Sequence, residues 1–177
     1  MISDFVKGKK KFDYPTGIQK GIELHRAIDA FTDSHHITKQ AKEVFRPAYR
    51  LYSGAFVDVV YDHFLATDER EFIPDGLKVF STGVYAALEL NQSWLPERFA
   101  LMLPYMKEQN WLWNYRTRQG TAKSMAGLVR RSAYLTESDR AFTLFESHYQ
   151  LLGDSYRHFW ADLKSFARQE FSRLVQQ

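Results

Sequence analysis

Near the end of the chain, large apolar side chains recur in alternating steps of three and four residues. They are Phe142, Phe145, Tyr149, Leu152, Tyr156, Phe159, Leu163 and Phe166. Because an α-helix completes a turn in about 3.6 residues, this spacing places them all on one helical face. The preceding run Thr136-Glu137-Ser138-Asp139 is typical of a helix N-terminus. The pattern predicts one long helix packed on a core, which Gly153 can weaken or bend.

Helical spacing also runs through the rest of the chain, and no segment alternates apolar and polar residues as a half-buried strand does. We expect helices over residues 15–33, 37–52 and 53–66, the third capped by Ser53. Further helices are expected to start at Asp75 and Pro96, followed by a short aromatic helix over residues 110–120 and another to about Ser132. The connections are short. The sequence therefore predicts an all-α fold, a single-domain helical bundle over residues 1–177.

Composition excludes several classes of function. The chain of 177 residues has no cysteine, so disulfides, thiolate catalysis and cysteine-bound metals are excluded. No apolar run is long enough to cross a membrane, and the first residues do not resemble a secretion signal, so we expect a cytoplasmic protein. Phosphate-binding glycine loops and nucleic-acid-binding motifs are absent, so no nucleic-acid partner is expected. Any metal must be held by histidine and carboxylate.

The net charge of +3 is concentrated at the front of the chain. Residues 1–50 carry ten Lys/Arg against six Asp/Glu, and residues 51–177 carry fourteen against fifteen. The surplus begins with Lys7, Lys9, Lys10 and Lys11. Such a patch favours phosphate-bearing or acidic partners, and an ordinary solvated surface explains it equally well.

His25 and Asp29 lie four residues apart, on the same predicted helical face as Ile18 and Ile22. That face should point inward. Burying an imidazole and a carboxylate costs several kcal/mol unless each finds a partner. The two groups can satisfy each other, or they can bind a divalent metal ion.

A second set of polar residues lies in an otherwise apolar helix. Asp58 and Asp62 are four residues apart, and His63 lies about 100° around the helix from Asp62. Two like charges on one buried face need a compensating cation, which Arg26 or a metal can supply. Two helices with buried His/Asp sets favour a metal site, and nitrogen and oxygen ligands suit manganese, iron, zinc or magnesium.

Several motifs together resemble the acyl-carrier-protein phosphodiesterases, also called ACP hydrolases. The resemblance rests on Asp4-Phe5-Val6-Lys7-Gly8, on the block from Gly21 to Asp33 that contains His25-Arg26 and Ile28-Asp29, and on Asp58-x-x-x-Asp62-His63-Phe64-Leu65. The segments Trp111-Leu112-x-x-Tyr115 and Gly127-x-x-Arg130-Arg131 fit the same family. The similarity covers nearly the whole chain.

This resemblance implies a fold related to the HD metal phosphohydrolases, although Asp62-His63 reverses the usual order of that pair. It implies an enzyme of lipid metabolism that removes 4′-phosphopantetheine from holo acyl carrier protein, with a divalent metal ion, typically Mn²⁺. It also marks Asp4 as a metal-site carboxylate. The family's first helix, with a histidine of its own, is expected to be missing here. We therefore expect the uncovered apolar surface to be filled by a homodimer or a swapped element.

The residues receive roles from the resemblance and the chemistry together. Metal ligands are predicted to be Asp4, His25, Asp62 and His63; Asp4, Arg26, Asp29 and Asp58 are predicted to assist catalysis. A docking rim for the acidic carrier protein is predicted from Lys7, Lys9, Lys10, Lys11, Arg46, Arg50, Arg130 and Arg131. Two alternatives stay open. One is a metal phosphohydrolase acting on a small nucleotide, and the other is an inactive, truncated helical module that binds the carrier protein.

Overall fold

A computed structural model describes residues 1–135 and 137–176 and contains only helices and turns within those ranges. The α-helices are α1 (Thr16–Ser34), α2 (His36–Tyr49), α3 (Ser53–Ala66), α4 (Gly76–Leu90), α5 (Glu97–Glu108), α6 (Trp111–Asn114), α7 (Arg118–Arg131), α8 (Asp139–Ser147) and α9 (Tyr149–Gln176). Short 3₁₀ turns cover Ser3–Phe5, Gly8–Asp13, Arg50–Tyr52 and Gln92–Trp94. The predicted all-α fold is confirmed.

The main core forms where α2, α3, α7, α8 and α9 meet, and α1 packs against α9 and α2. Helix α3 lies at its centre, since Phe56, Val57 and Val60 are fully buried. Phe45 of α2 stacks on Phe56, with 5.6 Å between the ring centroids. The core therefore fixes the position of α3, the helix that also carries Asp58, Asp62 and His63.

A second, smaller hydrophobic cluster is built from α4, α5 and α6. Its buried members are Tyr85, Phe99, Leu103 and Met106. Ile2 packs against this cluster, and the ring of Phe5 meets that of Phe99 edge to face at 5.5 Å. The N-terminal turn is thus held between α1 and the second cluster.

The predicted long final helix is wrong in one respect, because it is two helices that meet at His148. The imidazole Nδ1 of His148 lies 3.0 Å from the Leu144 carbonyl oxygen, so the side chain also hydrogen-bonds to a carbonyl in the last turn of α8. Gly153 lies inside α9 and does not end it. A Cβ there would lie 3.0 Å from the Phe64 ring, so glycine permits this close approach. The apolar row still faces the core. Thr136, the first residue of the predicted N-terminal run, lies outside the described residues.

Three other boundaries differ from the prediction. Helix α2 ends at Tyr49 because Arg50 adopts a φ of 47°, which breaks the helical hydrogen bonding. Ser53 does not cap α3 with its side chain, since it already lies in the first helical turn. The aromatic segment forms only the single turn α6, and Tyr115 ends it.

Candidate metal and catalytic site

Asp4, His25 and Asp29 come together beside the start of the chain. Each offers one ligand atom, and these atoms all lie within 4.8 Å of one another. His25 and Asp29 are one turn apart on α1, and the His25 Nδ1 lies 2.9 Å from the Asp29 Oδ2. A carboxylate can only accept, so this bond places a proton on Nδ1 and leaves the Nε2 lone pair available. The arrangement suits a ligand that accepts electron pairs.

Arg26 fixes the segment that carries Asp4. Its Nη2 donates to the Val6 carbonyl oxygen at 2.6 Å, and its Nη1 lies 3.5 Å from the Gly8 carbonyl oxygen. Gly8 has a φ of 53°, a conformation that favours glycine. The guanidinium that was predicted to stabilise charge on a phosphate is therefore bonded to the backbone. Here Arg26 positions Asp4 against α1.

The predicted inward face of α1 opens to solvent at this point. The His25 side chain is 31% exposed and that of Asp29 is 53% exposed, so the expectation of a dry interior pair is wrong. His25 also lines an apolar cleft of about 340 Å³, together with Ile22, Val84 and Leu88. Open access is what a site for an external ligand requires, and an isolated buried pair would lack it.

Asp58 of α3 is close enough to this cluster for the Asp29 and Asp4 charges to act on it. The pKa of Asp58 is raised to about 7, mainly by burial and then by the charges of Asp33, Asp29 and Asp4, while Lys42 acts to lower it. Asp58 and Asp62 are both exposed to solvent, and Asp58 lines a polar cleft at the start of α3. The Asp4, Asp29 and Asp58 carboxylates thus share one electrostatic environment that a cation would stabilise.

Asp62 lies one helical turn beyond Asp58 on α3. Burial and then the Asp58 charge raise its pKa to about 7, although the Tyr115 phenol beside it acts to lower it. The pKa of Tyr115 is raised by burial and by the Asp62 charge. Asp62 lies outside the Asp4–His25–Asp29 group, so its predicted role as a ligand stays a prediction.

His63 points into the bundle, toward Thr121 of α7 and Tyr149 of α9, and is only 2% exposed. Its Nδ1 lies 2.8 Å from the Tyr115 carbonyl oxygen and must donate to it, and its Nε2 accepts from the Tyr149 hydroxyl at 2.9 Å. The Thr121 hydroxyl lies 3.1 Å from Nδ1. Burial lowers the pKa of this imidazole, which fits a neutral ring. Both nitrogens are occupied, so the structure departs from the predicted convergence of His63 with His25.

The predicted docking cations fall into three groups. Lys7, Lys9 and Lys10 are exposed on the turns that follow Asp4, whereas Lys11 pairs with Glu23. Arg46 and Arg50 line a polar cleft at the start of α3, which also contains Asp58. Arg130 and Arg131 lie in the last turn of α7, and the Arg131 charge acts on the Tyr115 phenol.

The donor chemistry of Asp4, His25 and Asp29 fits a divalent metal ion. One imidazole and two carboxylates are the nitrogen and oxygen ligands that Mn²⁺, Fe²⁺, Zn²⁺ and Mg²⁺ accept in proteins.

Sequence reasoning missed the partners of His63, namely Thr121 and Tyr149. Tyr149 was assigned to the apolar row, and its hydroxyl gave no sequence signal for a contact across the bundle.

The chain is similar to known proteins over most of its length. The sequence model of the family described as acyl carrier protein phosphodiesterase matches residues 1–163. A protein of that name from Pectobacterium atrosepticum is 30% identical over 169 residues, which cover 95% of this chain and 88% of the relative. Another from Yersinia pestis is 30% identical over 161 residues, covering 90% and 83%. A third from Photorhabdus laumondii is 29% identical over 150 residues, covering 84% and 76%.

Two further findings complete the comparison. No solved structure matches the chain significantly. Within residues 1–135 and 137–176, no helix is long and apolar enough to span a membrane.

Proposed function

The chain belongs to the acyl carrier protein phosphodiesterase family, and from that premise we propose that it hydrolyses the phosphodiester bond joining 4′-phosphopantetheine to a serine of holo acyl carrier protein. The products are apo carrier protein and the phosphorylated arm. The reaction is proposed to require a divalent metal ion, with Mn²⁺ as the first choice. Family membership supports the class of reaction, and the Asp4–His25–Asp29 cluster with Asp58 nearby supports the mechanism.

One observation carries the proposal, namely that Asp4, from the start of the chain, meets His25 and Asp29 of α1. In this cluster one nitrogen of the imidazole is held by a carboxylate. In metal sites, that second contact fixes the orientation and tautomer of the ligating ring. Asp29 holds His25 in this way, and the Arg26 bonds to Val6 and Gly8 hold the Asp4 segment.

The proposed chemistry follows from these positions. Asp4 and the His25 Nε2 would hold the ion, and Asp29 would orient the His25 ring through Nδ1. When bound, the ion would supply Lewis-acid polarisation of the phosphoryl oxygen and a more acidic water. Asp58 of α3, whose pKa is influenced by the Asp29 and Asp4 charges, is proposed to accept a proton from the attacking water. Attack at phosphorus breaks the bond to the serine oxygen, and the phosphate stays on the pantetheine fragment. His63 stabilises α3 and has no part in this step.

Docking of the carrier protein is proposed to use the cations beside the cluster. Lys7, Lys9 and Lys10 are exposed next to Asp4, and an acidic partner would be steered toward them. Charge reversal at Lys9 and Lys10 should weaken association at low salt, and the difference should shrink at high salt as screening increases. Reversal at the exposed Lys78 and Arg98 serves as the matched control. Equal binding by both double variants at low salt would reject this docking surface.

The deciding experiment incubates the protein with holo acyl carrier protein and Mn²⁺ and records the intact mass of the carrier. Loss of the prosthetic group is expected with the metal and not with a chelator. A parallel incubation with small nucleotides tests the alternative substrate. Asp4→Asn should abolish the reaction, and His148→Gln, outside the cluster, should retain it. A carrier mass that stays unchanged across the divalent metals would reject the proposed activity for this chain.

A further inference from the structure

Two arginines at the end of α7 lack an acidic partner within the described residues. Arg130 and Arg131 lie in the last turn of this helix and are both exposed. Among the described residues, α7 takes part in one ion pair, between Arg118 and Glu146. The guanidinium groups of Arg130 and Arg131 form neither an ion pair nor a hydrogen bond in that part of the chain. The sequence assigned both residues only to a diffuse rim.

The chain around these arginines is strongly positive. From residue 109 to residue 136 the sequence contains no aspartate or glutamate and five cations, which are Arg116, Arg118, Lys123, Arg130 and Arg131. Of these, Arg118 is the one that is paired with a carboxylate in the described structure. A local excess of one charge attracts ligands of the opposite sign, so this region favours an anion.

Gly127 brings the two guanidinium groups together. It lies one turn before the pair and is buried. The point at which a Cβ would stand on Gly127 lies 3.3 Å from the Arg131 Nη1 and 3.8 Å from the Arg130 Nη2. Both side chains therefore fold back along the helix over the same glycine. Because two like charges repel each other when they are brought close, an anion held between them would be stabilising.

A simpler interpretation assigns the two arginines to the helix end. Cations in a last turn interact favourably with the free carbonyl groups and the dipole there. The guanidinium groups lie over Gly127 instead, one turn before the end. The Leu128 and Val129 carbonyl oxygens accept from the Ser132 amide, each at 3.1 Å. The helix end thus has its own hydrogen bonds, and the arginines are left for another partner.

The Tyr115 phenol shows where the pair lies relative to the residues of α3. Ser124 of α7 hydrogen-bonds to this phenol, and the Arg131 charge acts to lower the pKa of the phenol. The same phenol lies beside Asp62 of α3. Arg131 and Asp62 thus approach one tyrosine from two helices, so the arginine pair lies near the acidic residues of α3. The pair shares no residue with the proposed metal cluster.

We propose that Arg130 and Arg131, folded over Gly127, form a binding site for a phosphate group. Each guanidinium carries a planar fork of N–H donors that fits two phosphate oxygens. The two positive charges match a phosphate dianion, whereas a single carboxylate would balance only one of them. Two sources share this chemistry, namely free inorganic phosphate and the phosphate monoester left on the pantetheine fragment. Only the second source rests on the proposed function.

The test titrates ¹⁵N-labelled protein with inorganic phosphate, in the presence of a chelator and without carrier protein. Chloride at the same ionic strength is the reference anion. Saturable shifts are expected at the Nε–H signals of Arg130 and Arg131. Arg131→Gln should weaken binding at least about tenfold, the scale of one charged hydrogen bond. Arg98→Gln, which removes an exposed arginine of α5, is the matched control and should leave binding unchanged.

A second variant keeps both charges and changes only the space between them. Gly127→Ala places a methyl group 3.3 Å from the Arg131 Nη1 and so displaces the flexible end of that side chain. Alanine is more favourable than glycine inside a helix, so folding is retained. Phosphate binding should weaken several-fold although the net charge is the same. Arginines that served only the helix end would show no such effect.

The outcomes separate the possibilities. Tighter, Arg131-dependent binding of 4′-phosphopantetheine than of phosphate identifies the monoester as the ligand, and equal or weaker binding identifies the free ion. Phosphate binding that is unchanged in Arg131→Gln or in Gly127→Ala would overturn the proposed site. So would a variant that loses carrier-protein association while the parent binds no phosphate, since the pair would then be a docking surface. Because no catalysis is measured, failure here leaves the proposed function intact, and failure of the carrier-protein assay leaves this site intact.

Discussion

The two histidines that the sequence singled out have opposite surroundings. His25 is about one third exposed, uses Nδ1 for Asp29 and has Asp4 beside it. His63 is almost completely buried and uses both ring nitrogens for contacts within the bundle. The two residues look alike in the sequence, since each lies in an amphipathic or apolar helix with aspartate nearby. They differ at the ring nitrogen Nε2, which has no hydrogen bond among the described residues in His25 and accepts one in His63.

This difference shows how a buried polar group can be explained without a ligand. His63 satisfies the rule that buried polar groups are hydrogen-bonded, so its presence in a core helix requires no metal. His25 leaves one nitrogen without a hydrogen bond in the described part of the chain and faces open carboxylates. A helix such as α3 can thus contribute its Asp58 face to a site and its His63 face to stability.

The largest expected effect is on stability, for His63→Ala. The change leaves a cavity beside Phe145 and removes the partner of the Tyr149 hydroxyl. Together these should lower the free energy of unfolding by about 3 kcal/mol, measured by urea denaturation with a chelator present. His25→Ala is the matched control and should change it by less than about 0.5 kcal/mol. Equal losses in the two variants would erase the distinction between the histidines.

The next effect is on metal affinity, with the roles of the histidines reversed. His25→Ala should weaken Mn²⁺ binding at least about 100-fold, the upper range for losing even an outer contact of a metal site. Isothermal titration calorimetry on the folded variant gives the measurement. A mild His63 substitution, His63→Gln, should keep the affinity within a few-fold. Tight Mn²⁺ binding that survives His25→Ala and disappears with His63→Gln would reverse our assignment.

The fold could be predicted from the sequence because it rests on periodicity. The row from Phe142 to Phe166 and the starts near Pro15 and Pro96 are local signals, and the structure contains the corresponding helices. The break at His148 was missed, since it depends on the backbone of His148, which leaves helical geometry with a φ of −115° and a ψ of 20°. Spacing shows where apolar residues recur and does not reveal such a local change of the backbone.

The site could be predicted only in part, for a different reason. His25 and Asp29 are one helical turn apart, so their contact follows from local geometry. Asp4 was named only through the family resemblance, because its approach to α1 depends on the Arg26 bonds to Val6 and Gly8. Asp62 and His63 are adjacent in sequence, and their separation onto two faces depends on which helices pack on each side of α3. The expected dimer stays a prediction.

A smaller effect is expected for Tyr149→Phe, which isolates one bond of the His63 network. The hydroxyl that donates to Nε2 is lost while the ring and its packing on Phe64 remain. A single hydrogen bond of this kind contributes about 1 kcal/mol, so the free energy of unfolding should fall by that amount. Mn²⁺ affinity should not change. A loss of metal binding in this variant would show that the His63 side of α3 also serves the site.

The smallest effect concerns Asp58, on the open side of α3. Its pKa is raised to about 7, mainly by burial and then by Asp33, Asp29 and Asp4. An unfolded aspartate has a pKa near 4, so between about pH 4 and 7 the folded protein holds a proton that the unfolded chain has lost. Stability therefore falls as pH rises through this range. Asp58→Asn removes that contribution, so without metal the melting temperature of the variant relative to the parent should rise from pH 5 to pH 8.

The gain in the free energy of unfolding of the variant should stay below about 1 kcal/mol, because the carboxyl group is open to solvent and screened. Asp62 titrates over the same range, so part of the dependence of stability on pH should remain in the variant. A melting-temperature difference that is flat or falls with pH would mean that the Asp58 carboxylate is already compensated without a cation.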